Sequence, residues 1–291
     1  MIEEVIDMPA DGSMRWPGGK KVVVMITAAV ELWSPGSWPV YAPMARAWPL
    51  PGVPDMHSIS WSEYGATTGV WRLLEILRSH RMLATFGING LVAERFPRAV
   101  RAVHEAGHEI AAHSYAQDVI PALLDIGAER ENIRRCTAIL EGLTGVRPTG
   151  WMSPRASGTA STPELLTDAG YTWSGDYNDH ELPRVLATSG GPLVTIMHSE
   201  LSDIRGVGGP REYLDSHVGL LRSVLDAPGA GVYNLTVHAH VGARPLLSGM
   251  FSRILDHIAA AREQVWIATH QQVAEYLLTQ QYSERSPVDH G

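Results

Sequence analysis

From Lys20 onward, short apolar runs alternate with segments whose apolar residues recur at three- and four-residue steps, and no other feature of the chain limits its fold as tightly. That alternation is the pattern of βα units packed around a parallel sheet or barrel. The strand candidates are "VVVMITAAV", "MLATFGI", "HEIAAHS", "TGWMS", "YTWSGD", "PLVTIMHS", "VYNLTVHAH" and "VWIAT". Helical segments such as "TTGVWRLLEILRSH", "ERENIRRCTAILEGL" and "PREYLDSHVGLLRSVLDA" separate them. Glycines in "EAG" and "DAG" stop helices before the next strand, and Ser161 or Thr162 is the expected N-cap ahead of Pro163. A chain of 291 residues, 45% hydrophobic, can bury the core this needs, so one domain over 1–291 is expected, with 282–291 as a tail.

The stretch from Leu32 to Ala66 breaks the alternation. It holds Trp33, Trp38, Trp48 and Trp61, punctuated by six prolines between Pro35 and Pro54. A connection this long is usually functional or disordered, and its aromatic content argues against disorder. Residues 32–66 therefore read as a lid-like insertion over the barrel mouth, with Trp33 and Trp61 as substrate contacts. Packing of the insertion onto the barrel would use part of the same aromatic surface.

A net charge of -8 without any Lys/Arg cluster excludes nucleic acid and anionic membranes as main partners, since both need a basic footprint. A small-molecule substrate fits better, and homo-oligomerisation is left open. The N-terminus lacks a secretory pattern and "VVVMITAAV" is too short to span a bilayer, so a cytoplasmic protein is expected. The single cysteine, Cys136, falls at an apolar helical position and reads as core.

Reactive groups of βα barrels collect where strands end and loops begin. That rule selects Glu31; His113 with Gln117 and Asp118; Ser153 and Arg155; Asp176; His198 and Glu200; and His238 with His240. His108 starts a strand at the other end and reads as structural.

At these positions the chain resembles the polysaccharide-deacetylase-like, or NodB-homology, superfamily, and within it the branch of metal-independent allantoinases and cyclic imide hydrolases. The resemblance covers about Val22 to Leu278. "MITAAVELW" is similar to the first motif, with Ala28 or Ala29 where deacetylases carry an acid and Glu31 as the remaining carboxylate. "GHEIAAHSYAQD" is similar to the His-Ser-x-x-His motif, with Gln117 replacing the second histidine. "TGWMSPRASGTASTPELLTDAGYTWSGD" carries the proline-flanked Arg155, and "LTVHAHVGARP" resembles the last motif. The resemblance implies a deformed (β/α) barrel of seven to eight strands and a hydrolase of non-peptide carbon–nitrogen bonds.

Catalytic zinc usually takes three ligands from Cys, His, Asp or Glu, and an amide is a poor substitute for an imidazole. Glu31, His113 and Gln117 are the metal set if an ion is bound, with Asp118 as another third donor. The first choice is no cofactor, with Zn2+ or another divalent ion as the alternative. Without a metal, Glu31, its carboxyl pushed up by partial desolvation, would take a proton from water, and His238 would protonate the leaving nitrogen. His113, Gln117 and Arg155 would hold the substrate, joined by Asp176 and His240 as further binding candidates. The rivals are a metal-dependent N-deacetylase and a catalytically inactive ligand-binding barrel.

Overall fold

The computed structural model describes residues 5–6, 14–199, 201–204 and 209–285. In chain order the strands are β1 (Val5–Ile6), β2 (Val22–Val30), β3 (Thr85–Ile88), β4 (Glu109–Ala112), β5 (Gly150–Trp151), β6 (Trp173–Ser174), β7 (Arg184–Thr188), β8 (Gly191–Thr195), β9 (Gly231–His238) and β10 (Val265–Ala268). Eight of them, β2 to β6 and β8 to β10, run parallel and correspond to the eight apolar runs. They curl into a deformed (β/α) barrel. A hairpin of β7 on β8, extended by β1, adds two antiparallel strands at one edge.

All nine residues of β2 are buried, as a strand must be when its neighbours and the flanking layers leave it no solvent face. One edge pairs with β9 from Val22↔Gly231 to Ala29↔His238. The other pairs with β10 over Val22–Met25 and with β3 over Thr27–Val30. On the far side the wall closes between the segment after β8 and β9 through a single bridge, Ser202↔Thr236. Parallel register brings the carboxyl ends of the strands to one mouth, so Glu31, His113, Ser153, Asp176 and His238 all emerge there.

The insertion forms short helices at Pro43–Ala47 and Met56–Tyr64. Its apolar content is not all turned inward: Trp48 is 74% exposed, and Val40 and Met56 of the same insertion are exposed as well. From Met56 to His80 the chain is helical, with one wider turn at Gly65–Gly69. That turn passes against the backbone between His238 and His240: a Cβ on Gly69 would lie 2.0 Å from the Ala239 carbonyl oxygen. Gly69→Ala is expected to cost about 1–3 kcal/mol, because rigid backbone stands on both sides. A urea melt unchanged by this substitution would show that the turn yields more easily than its packing implies.

The N-cap expected at Ser161 or Thr162 is replaced by another arrangement. Ser161 makes no capping bond, and the Thr162 hydroxyl accepts from the Thr159 amide and donates to buried Glu129. The last helix, His270–Arg285, runs into the segment expected as a tail, and 286–291 lie outside the described residues. Among the described residues no helix is long and apolar enough to cross a membrane.

Candidate active site

A cavity of about 400 Å3 opens at the mouth. Seven expected residues line it, Glu31, His113, Gln117, Ser153, Arg155, His198 and His238, together with others that include Thr27 and Tyr41. Glu200 lies outside the described residues. A second cavity of about 350 Å3 at the opposite end is lined by His108 and Glu109 and holds none of the residues expected at the mouth.

Glu31 is the hub. Its Oε1 accepts from the Gln117 amide at 2.8 Å and lies 3.3 Å from His113 Nε2 and 3.8 Å from His238 Nε2; its Oε2 is 3.8 Å from His240 Nδ1. Burial pushes the Glu31 carboxyl up, but His238, His113 and His240 together outweigh it and hold the group down at about 2. The upward shift expected from desolvation alone is therefore overturned by the three surrounding rings. Glu31 stays ionised at neutral pH.

The rings are fixed by their second nitrogens. A carbonyl can only accept, so the 2.7 Å contact between His113 Nδ1 and the Met152 oxygen places the proton on Nδ1 and turns Nε2 toward Glu31. His238 Nδ1 donates to Asp203 Oδ1 at 2.7 Å, and the His238 amide donates to Oδ2 at 2.8 Å. Asp203 has a fully buried side chain and fits only because Gly242 opposite has no Cβ, which would meet Oδ2 at 2.4 Å. This Asp–His pair follows the carboxylate-orients-imidazole logic of acid/base sites. His240 is pushed down to about 4 by burial and is neutral at pH 7. Tyr41, whose burial pushes its phenol up, keeps its proton and donates to His240 Nε2 at 3.1 Å. The His240 proton then sits on Nδ1, facing Glu31 Oε2, and neither atom has a hydrogen-bond partner. Gln117 Oε1 is likewise buried without one.

Four expected substrate contacts do not line the cavity. Asp176 is taken up by Ser153, whose amide and hydroxyl donate to it at 2.7 and 2.6 Å, and burial raises its carboxyl to about 6. Trp33 and Trp61 wall in His240, with ring centroids 5.7 and 5.1 Å away. His240 itself lies behind Glu31, in contact with that wall. Asp118 accepts from the Ser34 amide and does not line the cavity, so it stands apart from Glu31 and His113 as a third metal donor. Sequence reasoning missed Asp203 and Tyr41. A faint signal for Asp203 was available, an acid in "HSELSDI" just beyond a strand end.

The donors do not fit a three-ligand zinc site. Only Glu31 and His113 are ordinary zinc ligands within the expected set, Gln117 turns its N–H toward Glu31, and no group of three His, Cys, Asp or Glu among the described residues is placed to hold an ion. Cys136 is buried, donates to the Ser114 carbonyl at 3.1 Å and has its thiol pushed up to about 12, so it is inert.

Residues 59–174, which include His113, Gln117 and Arg155, match the polysaccharide deacetylase family. A candidate polysaccharide deacetylase of Mycobacterium smegmatis has a solved structure that is 29% identical, with a TM-score of 0.80 over 92% of this chain and 94% of that one. The structure of PuuE allantoinase is 25% identical, with a TM-score of 0.78 over 93% of this chain and 97% of that one. A peptidoglycan deacetylase of Helicobacter pylori is 21% identical over 75% of this chain and 87% of its own length. The family match over residues 59–174 and the barrel shared over nearly the whole chain give it a polysaccharide-deacetylase-like domain of the NodB-homology type and support a hydrolase of carbon–nitrogen bonds.

Proposed function

We propose that the protein hydrolyses a compact cyclic amide, imide or ureide, with Glu31 as the base that takes a proton from water and His238 as the acid that protonates the leaving nitrogen. The observation that carries this is one cavity presenting an ionised carboxylate beside an imidazole tethered through Nδ1, so that Nε2 is the nitrogen turned inward. Gln117 Oε1, buried and without a partner, would accept a ring N–H, a group every ureide carries. A 400 Å3 site suits a small heterocycle. The likeness to an allantoinase structure over nearly the whole chain supports the same choice.

In this scheme water lies between Glu31 and the substrate carbonyl. Its proton passes to Glu31, its oxygen attacks the carbonyl carbon, and the carbon–nitrogen bond breaks as His238 delivers a proton to nitrogen. Asp203 holds the ring's tautomer and steadies the charged form. The pair His113 and Gln117 fixes Glu31.

Purified protein assayed on hydantoin, allantoin, succinimide and an N-acetylglucosamine oligomer, with and without a chelator, tests the reading. Ring opening that survives the chelator is the expected result. Chelator-sensitive release of acetate from the oligomer, with no ring opening, would support a metal-dependent N-deacetylase instead.

A further inference from the structure

Arg155 has a backbone that argues for a purpose. It sits at φ 62°, ψ 20°, and Ala156 follows at φ 50°, two consecutive non-glycine residues in the left-handed region. Such strain is costly for L-residues and persists where surrounding structure holds it, typically at functional sites. The turn is clamped at several points. Ser153 is gripped twice by buried Asp176, the Ser157 hydroxyl donates to the Pro154 carbonyl at 2.6 Å, and the Ala122 amide donates to the Ser157 carbonyl at 3.0 Å.

What the clamped turn delivers is a cation without an answer. Arg155 is exposed and lines the cavity, yet among the described residues its guanidinium makes no ion pair, hydrogen bond or ring contact. Asp176, the buried carboxylate that grips this turn, is taken up by Ser153. Glu31, the one carboxylate on the cavity wall among the described residues, is engaged with Gln117 and His113. The cavity thus offers an acceptor-rich interior, with Glu31 and Gln117 Oε1, and an unpaired guanidinium. A guanidinium fork matches a carboxylate bidentately.

Resting on the hydrolase reading of this cavity, we propose that Arg155 is a specificity residue that binds a carboxylate carried by the substrate, so that the physiological substrate is an anionic ring amide or ureide rather than a neutral one. The acidic protein, at net charge -8, would otherwise repel such an anion, and a cation held at the cavity is the local remedy.

Hydantoin and 5-carboxymethylhydantoin differ by one carboxylate and make the test. The wild-type protein is expected to favour the carboxylate compound in kcat/KM by about tenfold to a hundredfold, the range of a charge-assisted hydrogen bond. Arg155→Met should bring that ratio close to one, and Arg155→Lys, which keeps charge but not the fork, should retain part of it. The same two compounds are titrated by calorimetry into the Glu31→Gln protein, with and without Arg155→Met, so that the preference is read as binding even without turnover. Turnover of both compounds with a ratio near one in the wild type overturns the carboxylate assignment and leaves the hydrolase reading intact. No turnover of either, with an Arg155-dependent binding preference, overturns the hydrolase reading and upholds Arg155 as the anion contact. No preference in either measurement overturns the assignment.

Discussion

Glu31→Gln is expected to lower ring opening by roughly a hundredfold to ten-thousandfold, the usual worth of a positioned general base. The substitution keeps the shape of the side chain and removes only its charge. Gln117 and His113 still have an oxygen to meet, so the fold should survive and the loss should appear in kcat. The low carboxyl, held at about 2, makes Glu31 a weak base but one that is always ready at neutral pH. Asp203→Asn provides the matching arm, because an asparagine can present an N–H to His238 Nδ1 and force the other tautomer. Loss in both variants, with thermal melts near wild type, is the expected pattern. Near-normal kcat in Glu31→Gln would reduce the carboxylate to a counter-charge for buried histidines.

Acid should unfold the protein well above the usual carboxylate range. Burial pushes His108, His217 and His240 down to about 4 and His270 down to about 3, from an ordinary 6.5. Between pH 6.5 and 4 the unfolded chain takes up protons that the folded chain refuses, so stability falls as pH falls through that window. Each imidazole contributes up to about 2 kcal/mol between pH 6.5 and 5, and the four together rival a typical domain stability of about 5–15 kcal/mol. Glu31 acts in the same sense lower down, from 4.5 toward about 2. Asp176, raised from 3.8 to about 6, has the opposite sign and offsets part of the loss. The urea midpoint should drop steeply between pH 7.5 and 5.0, and a midpoint constant over that range would contradict the burial of these rings as neutral species.

The eight parallel strands were legible because each is a continuous apolar run between helical segments, and β2, buried along its whole length, is the extreme case. The β7–β8 hairpin was not, because β7 is short and only half-buried at its ends, and the two residues that turn it resemble any loop. At the site, strand ends located Glu31, His113 and His238, since parallel register alone brings them to one mouth. Asp203 escaped because its place depends on the bridge between Ser202 and Thr236, which joins segments far apart in sequence. The direction of Glu31's shift escaped for a related reason. Desolvation follows from one residue's position, whereas the opposing pull comes from three rings on two other loops. The tryptophans of the insertion misled, since indole content reports an apolar surface without saying which side it faces: Trp33 and Trp61 press on His240 while Trp48 meets solvent.

The Met152 carbonyl that holds His113's proton on Nδ1 leaves Nε2 as the nitrogen that meets Glu31. Gln117 stands beside it, both side chains meeting Glu31. Glutamine and histidine codons differ by a single base, so one point mutation at 117 would set a second imidazole beside this carboxylate. For a lineage built on this turn, the amide-bearing and the two-histidine versions are adjacent genotypes.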